Sequence, residues 1–393
     1  MNEDSLIGGA GGTALVLGGG GARGAYQAGV VRAIARRHPD VALPILTGIS
    51  AGAINAAFLA ARTGSLSDAS SELADLWLSL TPEAVYRVDA PSLLSNVIRW
   101  GWRLVSGGIG AVKEPTRGLV DTTPLRDFLG NAFSARHDSP IAGIDENIRR
   151  GSLRAVALSA TSYSTGQSVT WVQGKDISLW QRPQRRSELS RLTLDHVMAS
   201  SALPLLFPAV RVEHEWYGDG GVRLTAPLSP ALHLGASRIL TISTRHPRSR
   251  AEADVSQIAG YPPPAQVLGV LYNAVFLDVI DQDILRLELI NQMLRDVPEE
   301  RRNGMRRVEI LVLRPSRDLG KMAREFEPRL PTAFRFLTRG LGTRGTTSPD
   351  ILSLVMFQRD YLQALVELGE RDALTQMDRI DAFLDGGCGD QRG

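Results

Sequence analysis

Two short apolar runs, each closed by a glycine-rich turn and each followed by a helix-forming segment, constrain this chain more than any other feature. Residues 13–17 (Thr-Ala-Leu-Val-Leu) stop at Gly18 and open into Gly18-Gly19-Gly20-Gly21-Ala22-Arg23-Gly24. Residues 43–49 run into Gly48-Ile49-Ser50-Ala51-Gly52. Continuous apolar runs bounded by turn residues read as strands buried on both faces. Beyond the first turn Ala25, Ala28, Val31 and Ala35 recur at helical spacing, which predicts a helix over 25–37; the second turn leads into a predicted helix over 51–61. Strand–turn–helix repeated in this way returns each strand parallel to the last, with helices on the faces of the sheet.

Further strands are predicted over 154–160, 168–172, 238–243 and 308–313, and the stretch 66–150 reads as mostly helical and irregular. Pro262-Pro263-Pro264 precedes a predicted amphipathic helix over 265–295. A buried strand follows that helix, so the core is expected to continue past the prolines. The domain boundary is placed near Pro315, dividing a catalytic domain (1–315) from a helical C-terminal extension (316–393). No internal repeat is visible.

Composition removes several classes of function. Hydrophobic residues at 43% and charged residues at 22% describe an ordinary globular chain rather than a disordered one. Lys+Arg 44 against Asp+Glu 42, without a basic cluster, argues against a nucleic-acid partner. One cysteine, Cys388, excludes an intrachain disulfide framework and a cysteine-rich zinc site. The start, Met1-Asn2-Glu3-Asp4-Ser5, is acidic where a secretory signal would be basic. The uncharged run between Asp40 and Arg62 contains Pro44, Thr47, Gly48, Ser50, Gly52 and Asn55, which suits a tight turn better than a membrane span. A soluble protein of the cytoplasm is expected, with no metal and no cofactor.

Three constellations carry chemistry. In the first, glycines leave backbone N–H groups uncovered at a helix N-terminus, where they can converge on an anion, either a phosphate or the oxyanion of a tetrahedral intermediate. Gly19-x-Gly21-x-x-Gly24 formally fits the dinucleotide-binding fingerprint. The acidic residue which that fingerprint requires after the next strand is missing, because that strand ends in Gly48-Ile49-Ser50. The second constellation, Gly48-Ile49-Ser50-Ala51-Gly52, is a G-x-S-x-G between a strand and a helix, the context in which a sharp turn lifts a serine hydroxyl clear of the backbone. The third is Tyr217-Gly218-Asp219-Gly220-Gly221, whose acid is either a turn residue or a carboxylate that takes the proton of Ser50. The histidines (His38, His137, His196, His214, His233 and His246) lie outside Gly-rich turns, mostly beside charged or prolyl residues typical of a surface. In the α/β-hydrolase order only His233 or His246 would follow the acid, and here Ser50 comes after only the second strand.

With Gly19-Gly20-Gly21-Ala22-Arg23-Gly24, Gly48-Ile49-Ser50-Ala51-Gly52 and Asp219-Gly220-Gly221 in that order, the chain resembles the patatin-like phospholipase family. Its pattern is a G-G-G-x-[KR]-G loop, a G-x-S-x-G elbow and a D-G-[GA] turn. Ala199-Ser200-Ser201-Ala202-Leu203-Pro204 with Phe207-Pro208 is similar to a fourth block of that family, which packs near the active site. The resemblance spans roughly residues 13–222. It implies a three-layer α/β/α fold around a mainly parallel sheet and a Ser50–Asp219 dyad, with Ser50 as nucleophile and Asp219 as base. It further implies an oxyanion hole from the amides of Gly19, Gly20 and Gly21, and acyl-enzyme chemistry on phospholipid or lysophospholipid esters. Arg23 would place positive charge beside the substrate or sit on a helix surface. Acyl transfer to an alcohol on the same site, and a nucleotide-binding module built on the first glycine turn, are the alternatives. Peripheral contact with a membrane is the partner expected besides the lipid substrate.

Weaker signals are Ile98-Arg99-Trp100-Gly101-Trp102-Arg103-Leu104, which suits a core-packed helix or a lipid–water boundary, and the Arg185-Arg186 pair, expected as solvated loop charge. Asp278, Asp281 and Asp283 are expected on the wet face of the long helix rather than around a metal.

Overall fold

Strand β1 (Gly12–Leu17) shows how the sheet is covered. Side chains alternate across a strand. Leu15 and Leu17 join one apolar cluster, whereas Ala14 and Val16 join another on the opposite face. Strands β2 (Ile45–Ile49) and β3 (Ala155–Ser162) divide in the same way, Leu46 and Leu158 to one side and Ile45 and Ala157 to the other. A sheet apolar on both faces needs a layer of helices on each, so this chain folds as α/β/α. The computed structural model describes residues 12–87, 118–135, 138–254, 260–330 and 350–386. Trp100, Trp102, His137 and Cys388 lie outside the described residues.

The remaining strands are β4 (Ser168–Gly174), β5 (Gln181–Arg182), β6 (Arg185–Leu189), β7 (Val210–Val212), β8 (Glu215–Asp219), β9 (Ala236–Ile242) and β10 (Glu309–Leu313). Among the described residues they form one ten-stranded sheet in the order β10-β9-β1-β2-β3-β4-β6-β5, with β8 on β3 and β7 on β8. The five strands from β10 to β3 are mutually parallel. On one face lie α1 (Gly24–Arg37), α2 (Ala51–Ala61) and α3 (Leu66–Ser79). The short helix α4 (Leu194–Ser200) belongs to the same layer.

After Pro262-Pro263-Pro264 the structure departs from the unbroken helix expected over 265–295. There are two helices, α5 (Pro264–Phe276) and α6 (Asp278–Met293), joined at Leu277. Each packs on a different face of the sheet: Tyr272 and Phe276 of α5 join the larger cluster, while Ile280, Ile284 and Leu287 of α6 join the smaller one, so the chain must turn between them. The acids expected on the wet face of this segment are partnered. Asp278 pairs with Arg245, Asp281 with Arg314 at 2.5 Å, and Asp283 accepts the Leu228 N–H at 2.8 Å. Arg185 and Arg186, expected as loop charge, lie on β6; Arg186 pairs with Glu188 at 2.6 Å and Glu215 at 3.3 Å. No group of three or more metal-ligating side chains occurs among the described residues.

Two helices after Pro315 enter the argument below, α7 (Asp350–Val355) and α8 (Arg359–Thr375). Leu362, Leu365 and Val366 of α8 belong to the same core as Leu15 and Val30, and Glu370 pairs with Arg32 of α1 at 2.6 Å. The larger core therefore draws on both ends of the chain.

Candidate active site

Parallel strands present their C-terminal ends together at one edge of the sheet, and ligands of open α/β sheets gather there. At this edge β3 outruns β2. Pairing between them ends at Ile49 opposite Ser159. From Ala160 onward the vacated side of β3 is taken by β8, which runs in the opposite direction and ends with Asp219 opposite Ala160. Two strands thus meet end to end along β3, and the residues at the junction are Ser50 and Asp219. The β8 pairing joins residues far apart along the chain.

Ser50 sits at φ 57, ψ −129, a conformation that L-residues seldom adopt, and the residue is 2% exposed. The turn has no room for side chains on either flank. A Cβ at Gly48 would stand 2.3 Å from the Gly52 carbonyl oxygen, and one at Gly52 would stand 2.1 Å from that of Leu17. Two further serines hold the turn from outside. The Ser50 N–H donates to Ser200 Oγ (3.1 Å), whose own hydroxyl donates to the Ser159 carbonyl (2.6 Å). Ser201 Oγ donates to the Ser50 carbonyl (3.0 Å) and to that of Val197 (2.9 Å). The Ala199–Pro204 block therefore clamps both backbone groups of Ser50, a role its small polar residues do not announce in sequence.

Asp219 is fully buried. Its N–H donates to the Ala202 carbonyl (2.9 Å), its carbonyl accepts from Thr161 Oγ1 (2.9 Å), and Oδ1 accepts the Gly221 N–H (2.9 Å). Oδ2 is buried without a partner of ordinary hydrogen-bond geometry among the described residues. Burial pushes the carboxyl pKa up from 3.8 to about 7, against the smaller lowering effects of the neighbouring Ser50 hydroxyl and the Gly221 N–H. Asp219 is thus a buried carboxyl with a near-neutral pKa beside a serine.

The first glycine turn passes beside Ser50. A Cβ at Gly19 would stand 3.2 Å from Ser50 Cβ and 3.8 Å from its Oγ. Among the described residues neither the Gly19 nor the Gly20 N–H donates to a protein acceptor. The turn's carbonyls, in contrast, are tied down: Gly19 O accepts from Thr244 Oγ1 (2.8 Å) and Gly18 O from Gln27 Nε2 (2.9 Å). Gln27 is itself held by Asn55 Nδ2 (2.9 Å), and Asn55 by Trp77 Nε1 (2.7 Å). A trans peptide carries its C=O and N–H on opposite sides. Anchoring the Gly19 carbonyl on Thr244 therefore fixes where the Gly20 N–H points. Thr244, Gln27 and Asn55 carried no signal in the sequence, since nothing local to them shows that they meet the glycines.

Arg23 is not on a helix surface. It is 3% exposed, its Nε donates to Ser353 Oγ (2.8 Å), and its Nη2 donates to Asp350 Oδ1 (2.7 Å). No histidine bonded among the described residues reaches Ser50 or Asp219. His196, expected at the surface, is buried edge-on against Trp171 and pushed down to about 4 by desolvation. His233 stacks on Trp180, and His246 bonds the Pro315 carbonyl.

Two cavities flank the serine turn. One is a narrow crevice lined by Ser50, Gly21 and Ser201 together with apolar side chains such as Trp77, Leu125, Phe128 and Phe207. The other, equally narrow, lies between Gly19, Ile49, Gly221, Thr244 and Phe276. No helix among the described residues is long and apolar enough to cross a membrane.

Residues 15–232 match the family model described as patatin-like phospholipase. Among solved structures, VipD from Legionella pneumophila aligns at 13% identity and a TM-score of 0.31, covering 90% of this chain and 66% of that one. Human GIVD cytosolic phospholipase A2 in complex with methyl gamma-linolenyl fluorophosphonate aligns at 14% identity and a TM-score of 0.43, covering 96% and 59%. The chain thus spans about three-fifths to two-thirds of the length of these structures. A search of curated sequences finds no match.

Proposed function

The chain belongs to the patatin-like phospholipase family, and on that premise we propose that it is a serine lipid acyl hydrolase working through Ser50 and Asp219. Ser50 Oγ attacks the ester carbonyl while Asp219 accepts its proton, and the carbonyl oxygen becomes an oxyanion bound by the amides of Gly19, Gly20 and Gly21. Collapse expels the alcohol, which takes the proton back from Asp219, and leaves an acyl-serine. Water, deprotonated by the same carboxylate, then attacks the acyl-serine, and Asp219 returns that proton to Ser50 Oγ as the fatty acid leaves. Phospholipids or lysophospholipids are the proposed substrates, with peripheral contact at the lipid surface. Support for an acyl substrate comes from the apolar crevice at Ser50, lined by Leu125, Phe128 and Phe207.

The observation that carries this reading is the end-to-end meeting of β2 and β8 along β3, which sets a buried carboxylate beside a serine at a strained turn. A serine hydroxyl needs a positioned base, and a carboxylate with the ordinary pKa near 4 is a weak one. Burial that raises Asp219 to about 7 removes that objection. A fluorophosphonate probe is expected to modify the protein once, on Ser50, as read by mass spectrometry of the peptides. Modification at another serine, or none, would overturn the assignment.

The raised pKa also sets a pH dependence. Asp219 must be ionised to accept a proton, so kcat/KM on a water-soluble ester should rise about tenfold per pH unit below about 7 and level off above it. A profile already flat at pH 5 would show that no base of this pKa takes part.

A further inference from the structure

The glycine turn lies against a helix from the far end of the sequence. Gly21 has φ +54, and a Cβ there would stand 2.1 Å from the Leu354 carbonyl oxygen, so α7 rests directly on the backbone of the turn. Arg23 makes the same connection through its side chain. Its Nε and Nη2 both donate to Ser353 Oγ (2.8 and 2.6 Å), and Nη2 also donates to Asp350 Oδ1 (2.7 Å). Ser353 in turn donates to the Asp350 carbonyl (2.6 Å). The other Asp350 oxygen accepts from Asn273 Nδ2 of α5 (2.6 Å), with Arg248 at 4.0 Å. Three residues beyond Asn273, Phe276 fills the space where Gly221 would carry a side chain, beside the Asp219 turn. One carboxylate therefore ties the glycine turn to the helix that abuts the aspartate turn.

We propose that Asp350 and Ser353 of α7 are positioning residues for the reaction, acting through Arg23 to hold the Gly19–Gly21 amides in register with Ser50. The turn belongs to no strand, and its glycines have little conformational preference of their own. Thr244 and Gln27 fix its entry at Gly18 and Gly19, and α7 fixes its exit at Gly21–Arg23. Oxyanion donors act only if they are aimed before the reaction begins, and a misplacement of about 1 Å costs on the order of 100-fold in rate. Arg23 in this role turns its charge to Asp350 instead of to the substrate.

The inference rests on the serine hydrolase reading, and the test separates the two. The native protein, Asp350→Asn, Arg23→Met and the double variant are compared for kcat and KM on a water-soluble ester, with fluorophosphonate labelling and thermal midpoints alongside. Each single variant is expected to lose about 10- to 100-fold in kcat with KM nearly unchanged. The double variant should lose no more than the worse single one, because both changes break the same link. If the buried charges prevent folding, Ser353→Ala removes a bond to Arg23 without unpairing a charge, and its kcat should fall several-fold with KM nearly unchanged. Losses that multiply in the double variant, or single variants and Ser353→Ala with native kcat, would overturn the positioning role while the labelled native enzyme stands. A native protein that neither labels nor turns over the ester would overturn both readings.

Discussion

Asp219→Asn is expected to lower ester turnover by about 10⁴-fold while making the folded protein more stable above pH 7. The two effects have one cause. The carboxyl is fully buried, Oδ1 is engaged by the Gly221 N–H, and Oδ2 has no partner of ordinary geometry among the described residues, so its ionised form is poorly compensated. Its pKa therefore lies at about 7 in the folded state against 3.8 for the ordinary side chain. The folded state holds the proton more tightly than the unfolded state does. The stability this contributes is present in full below about 3.8 and is lost progressively as pH rises to about 7. At 1.36 kcal/mol per pH unit the loss is about 4 kcal/mol, an upper figure because an Asn amide would bring an N–H₂ to the same enclosed place. Calorimetry at pH 5 and pH 8 reads the sign. The native midpoint should fall relative to that of Asp219→Asn between the two, by several degrees. A gap that does not change with pH would mean that Asp219 is ionised throughout and that burial does not tune it.

The same aspartate shows where sequence reading stops. Strand–turn–helix order and the glycine spacings at Gly18–Gly24 and Gly48–Gly52 are local properties, and at Gly21, Gly24, Gly48 and Gly52 the fold leaves no room for a side chain. Pairing of β8 with β3 is not local. Strand β7 alternates, with Val210 and Val212 buried and Arg211 exposed, but it is only three residues long, and β8 ends in three consecutive buried residues, Tyr217, Gly218 and Asp219, instead of alternating. From sequence Asp219 is equally a turn residue. Only the register of β3 against both β2 and β8 brings it to Ser50.

Contacts made by the later helices were hidden for a similar reason. Asp350 and Ser353 resemble any polar pair at the start of a helix, and Arg23 any basic residue in a first turn, until folding closes a separation of 330 residues between Arg23 and Ser353. The break at Leu277 is not legible in sequence because α5 and α6 are each apolar on one side; helical periodicity does not report that the two sides face different cores. His196 looked solvated next to Asp195, yet its neighbour in space is the ring of Trp171.

Replacement of Ser50 separates chemistry from folding. Ser50→Ala should abolish fluorophosphonate labelling and reduce turnover by about 10⁴-fold or more, since no acyl-enzyme can form. Its thermal midpoint should barely move, because the backbone bonds to Ser200 and Ser201 survive. Ser50→Gly should be equally inactive but more stable. A non-glycine residue at φ 57, ψ −129 carries about 1–3 kcal/mol of strain that glycine escapes, against about 0.5–1 kcal/mol for the greater freedom of glycine in the unfolded chain. A net gain on the order of 1 kcal/mol by chemical denaturation would mean that the turn holds its serine against the preference of the backbone. An inactive Ser50→Gly no more stable than Ser50→Ala would remove the strain from the account while leaving the nucleophile in place. Residual turnover by either variant near the native rate would transfer the chemistry to another residue.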